Sequence, residues 1–152
     1  MFQRKWWLIS FTAIFGILFT SITAEAQWVM VARAAKGRVQ RMQQKPDNAP
    51  GYDIATLVLE AAADKVYQTA LKSLQSHADL VITRQDPEKR IIQFSKGQQV
   101  ASLRATLLGD KLTQLVIASS LTDAQPSTTS LVVQAALKVC TDMHVNCVVE
   151  EN

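Results

Sequence analysis

The stretch CTDMHVNC, from Cys140 to Cys147, holds both cysteines of this 152-residue chain and one of its two histidines. Thiolates and imidazoles are ligands that zinc prefers, and two cysteines can also form a disulfide. Cys140 and His144 are four residues apart and would share one face of a helix, with Cys147 as a third ligand. Asp142 points to another face, so a closed zinc site lacks its fourth protein ligand. The stretch predicts a disulfide or, as the alternative, a metal- or redox-handling site of Cys140, His144 and Cys147.

Helix geometry favours the disulfide. Seven residues of continuous helix advance about 10.5 Å, whereas a disulfide needs Cα atoms within about 7 Å. A helix must therefore end between the two cysteines. Asn146 suits a left-handed residue after a helix, Val145 disfavours helix, and CVV has the composition of a strand. We predict a chain reversal here and a Cys140–Cys147 disulfide, which fits an oxidising compartment.

Catalytic motifs are missing from the rest of the sequence. It contains no glycine-rich phosphate loop, no G-x-S-x-G elbow, no H-E-x-x-H and no haem-attachment motif. His77 follows a predicted helix, where an imidazole favours the helix C-terminus, so we interpret it as a capping residue. A pocket that placed either histidine beside a serine or an aspartate would instead support a hydrolase. We therefore expect a protein without cofactor that is not an enzyme.

The N-terminus has the organisation of a signal peptide. Arg4 and Lys5 precede an apolar run, and Ala24-Glu25-Ala26 gives the small–x–small pattern of a cleavage site. We predict a signal peptide over residues 1–26, cleavage after Ala26, and a periplasmic or secreted protein. The alternative is an uncleaved N-terminal membrane anchor, because the apolar run approaches the ~20 residues that span a bilayer.

Residues 27–50 are predicted to form a basic leader and a linker. Residues 27–46 carry five basic residues and no acidic one, and their apolar positions, including Val39 and Met42, follow helical spacing. Such a helix could contact anionic lipid through its basic residues, Arg33, Lys36, Arg38 and Arg41. The alternative is a solvated leader that packs on its own domain. KPDNAPGY, with two prolines and a glycine, has the composition of a linker.

Residues 51–152 are predicted to form a single α+β domain. Apolar periodicity indicates a strand, a helix, a four-strand meander and a second helix, with CVVE as a last short strand. Tight turns such as DPEK make the sheet mostly antiparallel. We expect a two-layer sandwich with both helices on one face, while Thr83, either Arg90 or Gln93, and Arg104 line the other face. That open face would meet solvent, a partner or a second copy in a homodimer.

The same segment resembles a known group of proteins. IATLVLEAAADKVYQTALKSL, followed by the polar hairpin VITRQDPEKRIIQF and a meander, is similar to a family of small exported bacterial α+β domains of unknown function. The likeness covers roughly residues 52–143. It implies an α+β fold and an exported location, and it implies no catalytic residues.

Composition also bears on partners. The domain has only Tyr52, Tyr67 and Phe94 as aromatic residues, too few for the stacking platforms that bind single-stranded nucleic acid. We therefore predict a non-enzymatic binding or scaffolding module of the cell envelope. Its expected partner is an envelope protein or ligand, with peripheral contact to anionic membrane and no nucleic acid.

Overall fold

The computed structural model describes residues 36–45, 47, 51–121 and 130–150. Seven strands lie in these segments: β1 Arg38–Gln44, β2 Gly51–Leu59, β3 Val81–Asp86, β4 Ile91–Lys96, β5 Gln99–Gly109, β6 Leu112–Leu121 and β7 Val148–Glu150. Two helices complete them: α1 Ala63–Gln75 and α2 Leu131–Asp142. Neither of these helices is long and apolar enough to cross a membrane. The predicted signal peptide and Arg33 lie outside the described residues.

The strands form one sheet in the order β3-β4-β5-β6-β2-β1-β7. All neighbouring pairs are antiparallel except β1 and β7, which run parallel. The predicted class, an α+β fold with a mostly antiparallel sheet, is therefore confirmed.

One hydrophobic cluster joins the sheet to both helices. Alternation along the central strands buries Leu57, Leu103, Leu115 and Ile117, because successive side chains of a strand point to opposite faces. Along β6 this settles which face is inward, a point that the sequence KLTQLVIASS leaves open. The side chains between these residues, such as Gln93 and Arg104, lie on the opposite face.

Both helices bury the stripes that their sequences predict. In α1, Val66, Tyr67, Ala70 and Leu74 are buried at helical spacing, and Leu71 packs against the cluster. In α2 the buried residues are Leu131, Val132, Val133, Ala136, Val139 and Cys140. Burial of a large aliphatic side chain stabilises the fold by roughly 1.5–3 kcal/mol, so these stripes hold the helices against the strands.

The predicted helix in the basic leader is wrong where the structure describes it. Arg38–Gln44 is a strand that pairs antiparallel with β2, and Val39 is fully buried. Val39 and Met42 fit a helical stripe by spacing, but Val39 alone enters the core and Met42 stays exposed. Gly37, at φ +72°, interrupts any helix directly before β1. The local sequence does not determine whether this segment is helix or strand, and pairing with β2 supplies the backbone hydrogen bonds that make it a strand.

The stretch that the sequence predicts as a linker connects these two strands. It leaves β1 at Gln44, whose partner is Tyr52 of β2. Arg38–Gln44 therefore belongs to the same sheet as the strands after residue 51. Gly37 fixes this strand further, because its amide donates to the Val58 carbonyl and its carbonyl accepts from Val148.

Candidate functional site

The two cysteines meet at a chain reversal after α2. The N–H of Val145 donates to the Cys140 carbonyl at 2.9 Å, and that of His144 donates to the Thr141 carbonyl at 3.0 Å. These two bonds form a Schellman motif, which closes a helix and turns the chain back. The Sγ atoms of Cys140 and Cys147 lie 2.03 Å apart, at disulfide distance, with the Cα atoms 6.1 Å apart.

The left-handed residue in this turn is His144 and not Asn146 as predicted. His144 has φ 57° and its side chain is exposed. Histidine shares with asparagine an enrichment in the left-handed region, so the sequence did carry a signal for this role. His144 thus contributes to the turn through its left-handed backbone conformation.

The described residues offer little to the metal alternative. Cys140 is buried and its sulfur faces that of Cys147. No group of three His, Cys, Asp or Glu side chains in the described segments could hold a metal ion. Cys140, His144 and Cys147 therefore lie near one another, but their side chains do not form a group that could hold a metal ion.

The basic residues predicted to contact lipid form ion pairs with acidic side chains. Lys36 pairs with Glu60, and Arg38 pairs with Glu150 at 2.8 Å. These two pairs are exposed and contribute little to stability. Arg41 differs, because its side chain is only 11% exposed and lies against Asp53.

Arg41, Asp53 and Ser130 form a buried polar network at the start of α2. Asp53 accepts from Nε and Nη2 of Arg41, each at 3.0 Å, and from the Ser130 hydroxyl at 2.6 Å. Ser130 is the N-cap of α2, and its Oγ accepts from the Val133 amide. The network joins β1, β2 and α2 through buried, charge-assisted hydrogen bonds, which indicates a structural role.

A cleft opens where α1 and α2 diverge over the sheet, and we call it the inter-helix cleft. Its floor consists of aliphatic side chains from both helices, β5 and the α1–β3 connection: Leu74, Leu80, Leu103, Leu131 and Val139. Its rim consists of polar and charged side chains, His77, Asp79, Lys96, Gln134 and Lys138, while Ser73 in the lining is buried. An apolar floor beneath a few convergent polar groups is the usual composition of a ligand site.

Two ion pairs lie at the rim. Lys96 Nζ is 2.8 Å from Asp79, and Lys138 pairs with Asp142 one helical turn away. The hydrogen bond from Lys96 lowers the pKa of Asp79, and the hydrogen bond from Lys138 lowers that of Asp142 below its ordinary value. Both carboxylates are therefore ionised at neutral pH and already accept hydrogen bonds.

His77 lies between these two pairs and caps α1. Its Nδ1 donates to the Ser73 carbonyl at 2.9 Å, which confirms the capping role predicted from its position. Because Nδ1 carries the proton in this contact, the other ring nitrogen is the one that can accept.

The rim brings His77 near serine and aspartate side chains, the combination that would support a hydrolase, but their geometry is unsuitable. Ser76 Oγ lies 3.4 Å from Nδ1 and instead donates to the Ser73 carbonyl at 2.7 Å. Nε2 is the ring nitrogen left to act as a base, and no hydrogen bond joins it to a serine among the described residues. Ser73 is only 5% exposed, so little of its side chain can meet a substrate. The cleft thus shows binding features without a nucleophile–base pair.

The size of the cleft limits what it can hold. Its volume is about 60 Å³. One buried water needs roughly 10–15 Å³ on the same measure, so the cleft has room for about four to six non-hydrogen atoms. Pockets for drug-sized ligands are roughly 300–1,000 Å³. The inter-helix cleft therefore fits a single small group and not a whole lipid.

Sequence reasoning did not find this cleft. Lys138 and Asp142 are visible as an i,i+4 pair, but this spacing is common on helix surfaces. Lys96 and Lys138 belong to a strand and a helix that are distant in the chain, and only the packing of α1, α2 and the sheet brings them to one rim.

Comparisons with known proteins define the fold and no more. No protein-family model matches the chain, and no curated protein matches it. A solved structure of a conserved protein of unknown function from Enterococcus faecalis is similar, with 12% identity, a TM-score of 0.51 and coverage of 80% of this chain and 83% of that one. At this identity the similarity supports the α+β fold alone.

Two further solved structures align less well. The Zhui aromatase/cyclase from Streptomyces sp. R1128 is 16% identical with a TM-score of 0.39, and covers 63% of this chain and 86% of its own. CalU16 from Micromonospora echinospora is 12% identical with a TM-score of 0.43, and covers 71% of this chain and 81% of its own. Neither similarity is close enough to bear on function.

Proposed function

We propose that this protein is a non-enzymatic binding module, exported to the bacterial cell envelope, that takes a small apolar group into the inter-helix cleft. The observation that carries the proposal is the aliphatic floor of Leu74, Leu103 and Val139 beneath a rim of charged side chains. Leu74, Leu103 and Val139 are only 1–4% exposed, so the favourable free energy would come mainly from the van der Waals contacts of a guest that fills the cleft.

Binding fits this cleft better than catalysis does. The imidazole of His77 is held on a backbone carbonyl, and the rim carboxylates are held by lysines. Nε2 of His77 can accept, but no serine hydroxyl among the described residues is hydrogen-bonded to it, so a base at this nitrogen has no nucleophile to activate. The arrangement at the rim orients a guest and supplies no activated nucleophile.

The finer architecture also belongs to this proposal. We infer a two-layer sandwich in which both helices cover one sheet face, and the single hydrophobic cluster that includes residues of α1 and α2 supports it. The other face, with Gln93 and Arg104, stays the predicted contact surface for a partner or a second copy. Export also stays a prediction, for which the pair of cysteines at disulfide distance gives indirect support.

A cleft-filling substitution tests the proposal. Ala135 lines the cleft, and Ala135→Leu should occupy the volume that a guest needs. The probe is 1-pentanol, titrated into natively processed, isotopically labelled protein while the amide resonances of Lys96, Leu103 and Lys138 are followed by NMR. We expect saturable shifts in the unmodified protein and at least a fivefold weaker response in Ala135→Leu.

A matched control adds the same side chain elsewhere on α2. Thr141 is exposed on that helix, so Thr141→Leu should bind 1-pentanol as the unmodified protein does. Equal responses in Ala135→Leu and the unmodified protein would contradict the proposal, as would shifts spread evenly over the whole chain.

A further inference from the structure

The two lysines at the rim of the inter-helix cleft have more hydrogen-bond donors than their carboxylate partners engage. Lys96 and Lys138 each carry three N–H donors, and they pair with one carboxylate each, Asp79 and Asp142 respectively. Each ammonium group therefore keeps N–H donors that a guest could use.

The ion pairs at the rim leave the lysines able to move. The side chains of Lys96 and Asp79 are 47% and 55% exposed, and those of Lys138 and Asp142 are 38% and 27% exposed. Exposed pairs of this kind hold their geometry weakly, because water screens the attraction and the long side chains lose entropy when fixed. A small rotation of either lysine can therefore serve a second acceptor without breaking the fold.

We infer that the guest of the inter-helix cleft is a short aliphatic carboxylate, its hydrocarbon tail on the Leu74–Leu103 floor and its carboxylate between Lys96 and Lys138. This inference rests on the proposed function and adds the chemical class of the ligand. The tail should have about four or five carbons, which matches the four to six atoms that about 60 Å³ admits. A free short-chain acid and the carboxyl end of a peptide with an aliphatic last residue share this chemistry.

The experiment compares three probes of five carbons each with different heads: pentanoate, whose fifth carbon is the carboxyl carbon, 1-pentanol and pentylamine. Each is titrated at constant ionic strength and pH 7 into natively processed protein, with the same amide resonances followed. We expect pentanoate to bind at least fivefold more tightly than 1-pentanol, and pentylamine to bind most weakly. A dipeptide ending in leucine distinguishes the two sources, because tighter binding than pentanoate points to a peptide end.

Removal of the rim charges should abolish this preference. In the double variant Lys96→Gln/Lys138→Gln we expect pentanoate to bind no more tightly than 1-pentanol, while 1-pentanol binds as before. The matched control is Lys89→Gln/Lys111→Gln, which makes the same charge change at two exposed turn lysines and should keep the preference.

The outcomes separate this inference from the proposed function. If 1-pentanol or pentylamine binds as tightly as pentanoate, the carboxylate inference is wrong and the apolar cleft stands. If the control double variant loses the preference as fully as the rim variant, general charge explains it and the inference is again wrong. If no probe shifts the cleft amides, both the inference and the proposed function fail.

Discussion

Both carboxylate oxygens of Asp53 accept a hydrogen bond from the guanidinium of Arg41, Oδ1 from Nε and Oδ2 from Nη2, each at 3.0 Å. Asp53 is fully buried, and the Arg41 side chain is 11% exposed. A basic residue that the sequence suggested for lipid contact is therefore held inside the fold. Its partner also accepts from the N-cap of α2, so one ion pair joins the first two strands to the second helix.

Removal of one charge of the Arg41–Asp53 ion pair should destabilise the fold. We expect Asp53→Asn to lower the free energy of unfolding by about 3–5 kcal/mol, because it removes the carboxylate charge that faces a largely buried guanidinium. Urea unfolding measures this loss, with the exposed Arg84→Gln as the control, for which we expect a change within about 0.5 kcal/mol. In a double-mutant cycle, Arg41→Met should cost much less in the Asp53→Leu background than alone. Equal costs in both backgrounds would show that the pair is not coupled.

Gly37 and Gly97 allow backbone conformation to be separated from steric contact. Both have positive φ, +72° and +58°, but a Cβ on Gly37 would lie 2.8 Å from the Asn146 carbonyl oxygen, whereas one on Gly97 meets nothing within 4 Å. Gly97→Ala should cost about 1–2 kcal/mol, the penalty of a left-handed residue. Gly37→Ala should cost more, because β1 or the segment before β7 must also shift. Thermal unfolding of the two variants provides the comparison, and equal losses would contradict the steric contribution.

The N-terminus provides a prediction on location. Intact-mass measurement of the protein from the envelope fraction should show a chain that begins at Gln27, since Ala24-Glu25-Ala26 ends the apolar run. Retention of Met1 in a membrane fraction would favour the uncleaved anchor instead.

The helices could be predicted from the periodicity of their apolar residues, whereas strand formation also depends on which neighbouring strands are available for pairing. The stripes of α1 and α2 could be read from sequence because an amphipathic helix repeats its apolar residues locally. β1 could not, since its sequence RVQRMQQ carries one buried apolar residue and depends on β2 for its hydrogen bonds. The Cys140–Cys147 contact could be predicted from sequence because the two positions are close in the chain. The rise of a helix and the Cα–Cα distance that a disulfide allows then limit how they can meet. The inter-helix cleft could not be predicted, because it depends on packing between elements that are distant in the chain and no local sequence pattern indicates it.

Asp142 should make stability depend on pH at the acid end. The Lys138 hydrogen bond lowers the pKa of Asp142 from 3.8, partly opposed by burial. A carboxyl whose folded pKa is depressed stabilises the protein above its unfolded pKa, and this contribution is lost as pH falls through the folded value. Between pH 5 and about 2, we therefore expect Asp142→Asn to show a shallower loss of unfolding free energy than the unmodified protein. Asp110→Asn, at an exposed turn, is the control, and identical slopes for all three proteins would refute the assignment.

The last prediction concerns Cys140 and Cys147, which lie at disulfide distance across the Schellman turn. If the bridge forms in the envelope, thiol titration of denatured, unreduced protein should find no free thiol. Reduction should lower the free energy of unfolding by about 2.5 kcal/mol, the chain-entropy value for an eight-residue loop. Cys140→Ala/Cys147→Ala should match the reduced protein within about 1 kcal/mol and should not respond to reductant, because alanine leaves no polar group at the buried position of Cys140. Two free thiols in protein from the envelope, or stoichiometric zinc that is released when the thiols are alkylated, would establish the metal alternative instead.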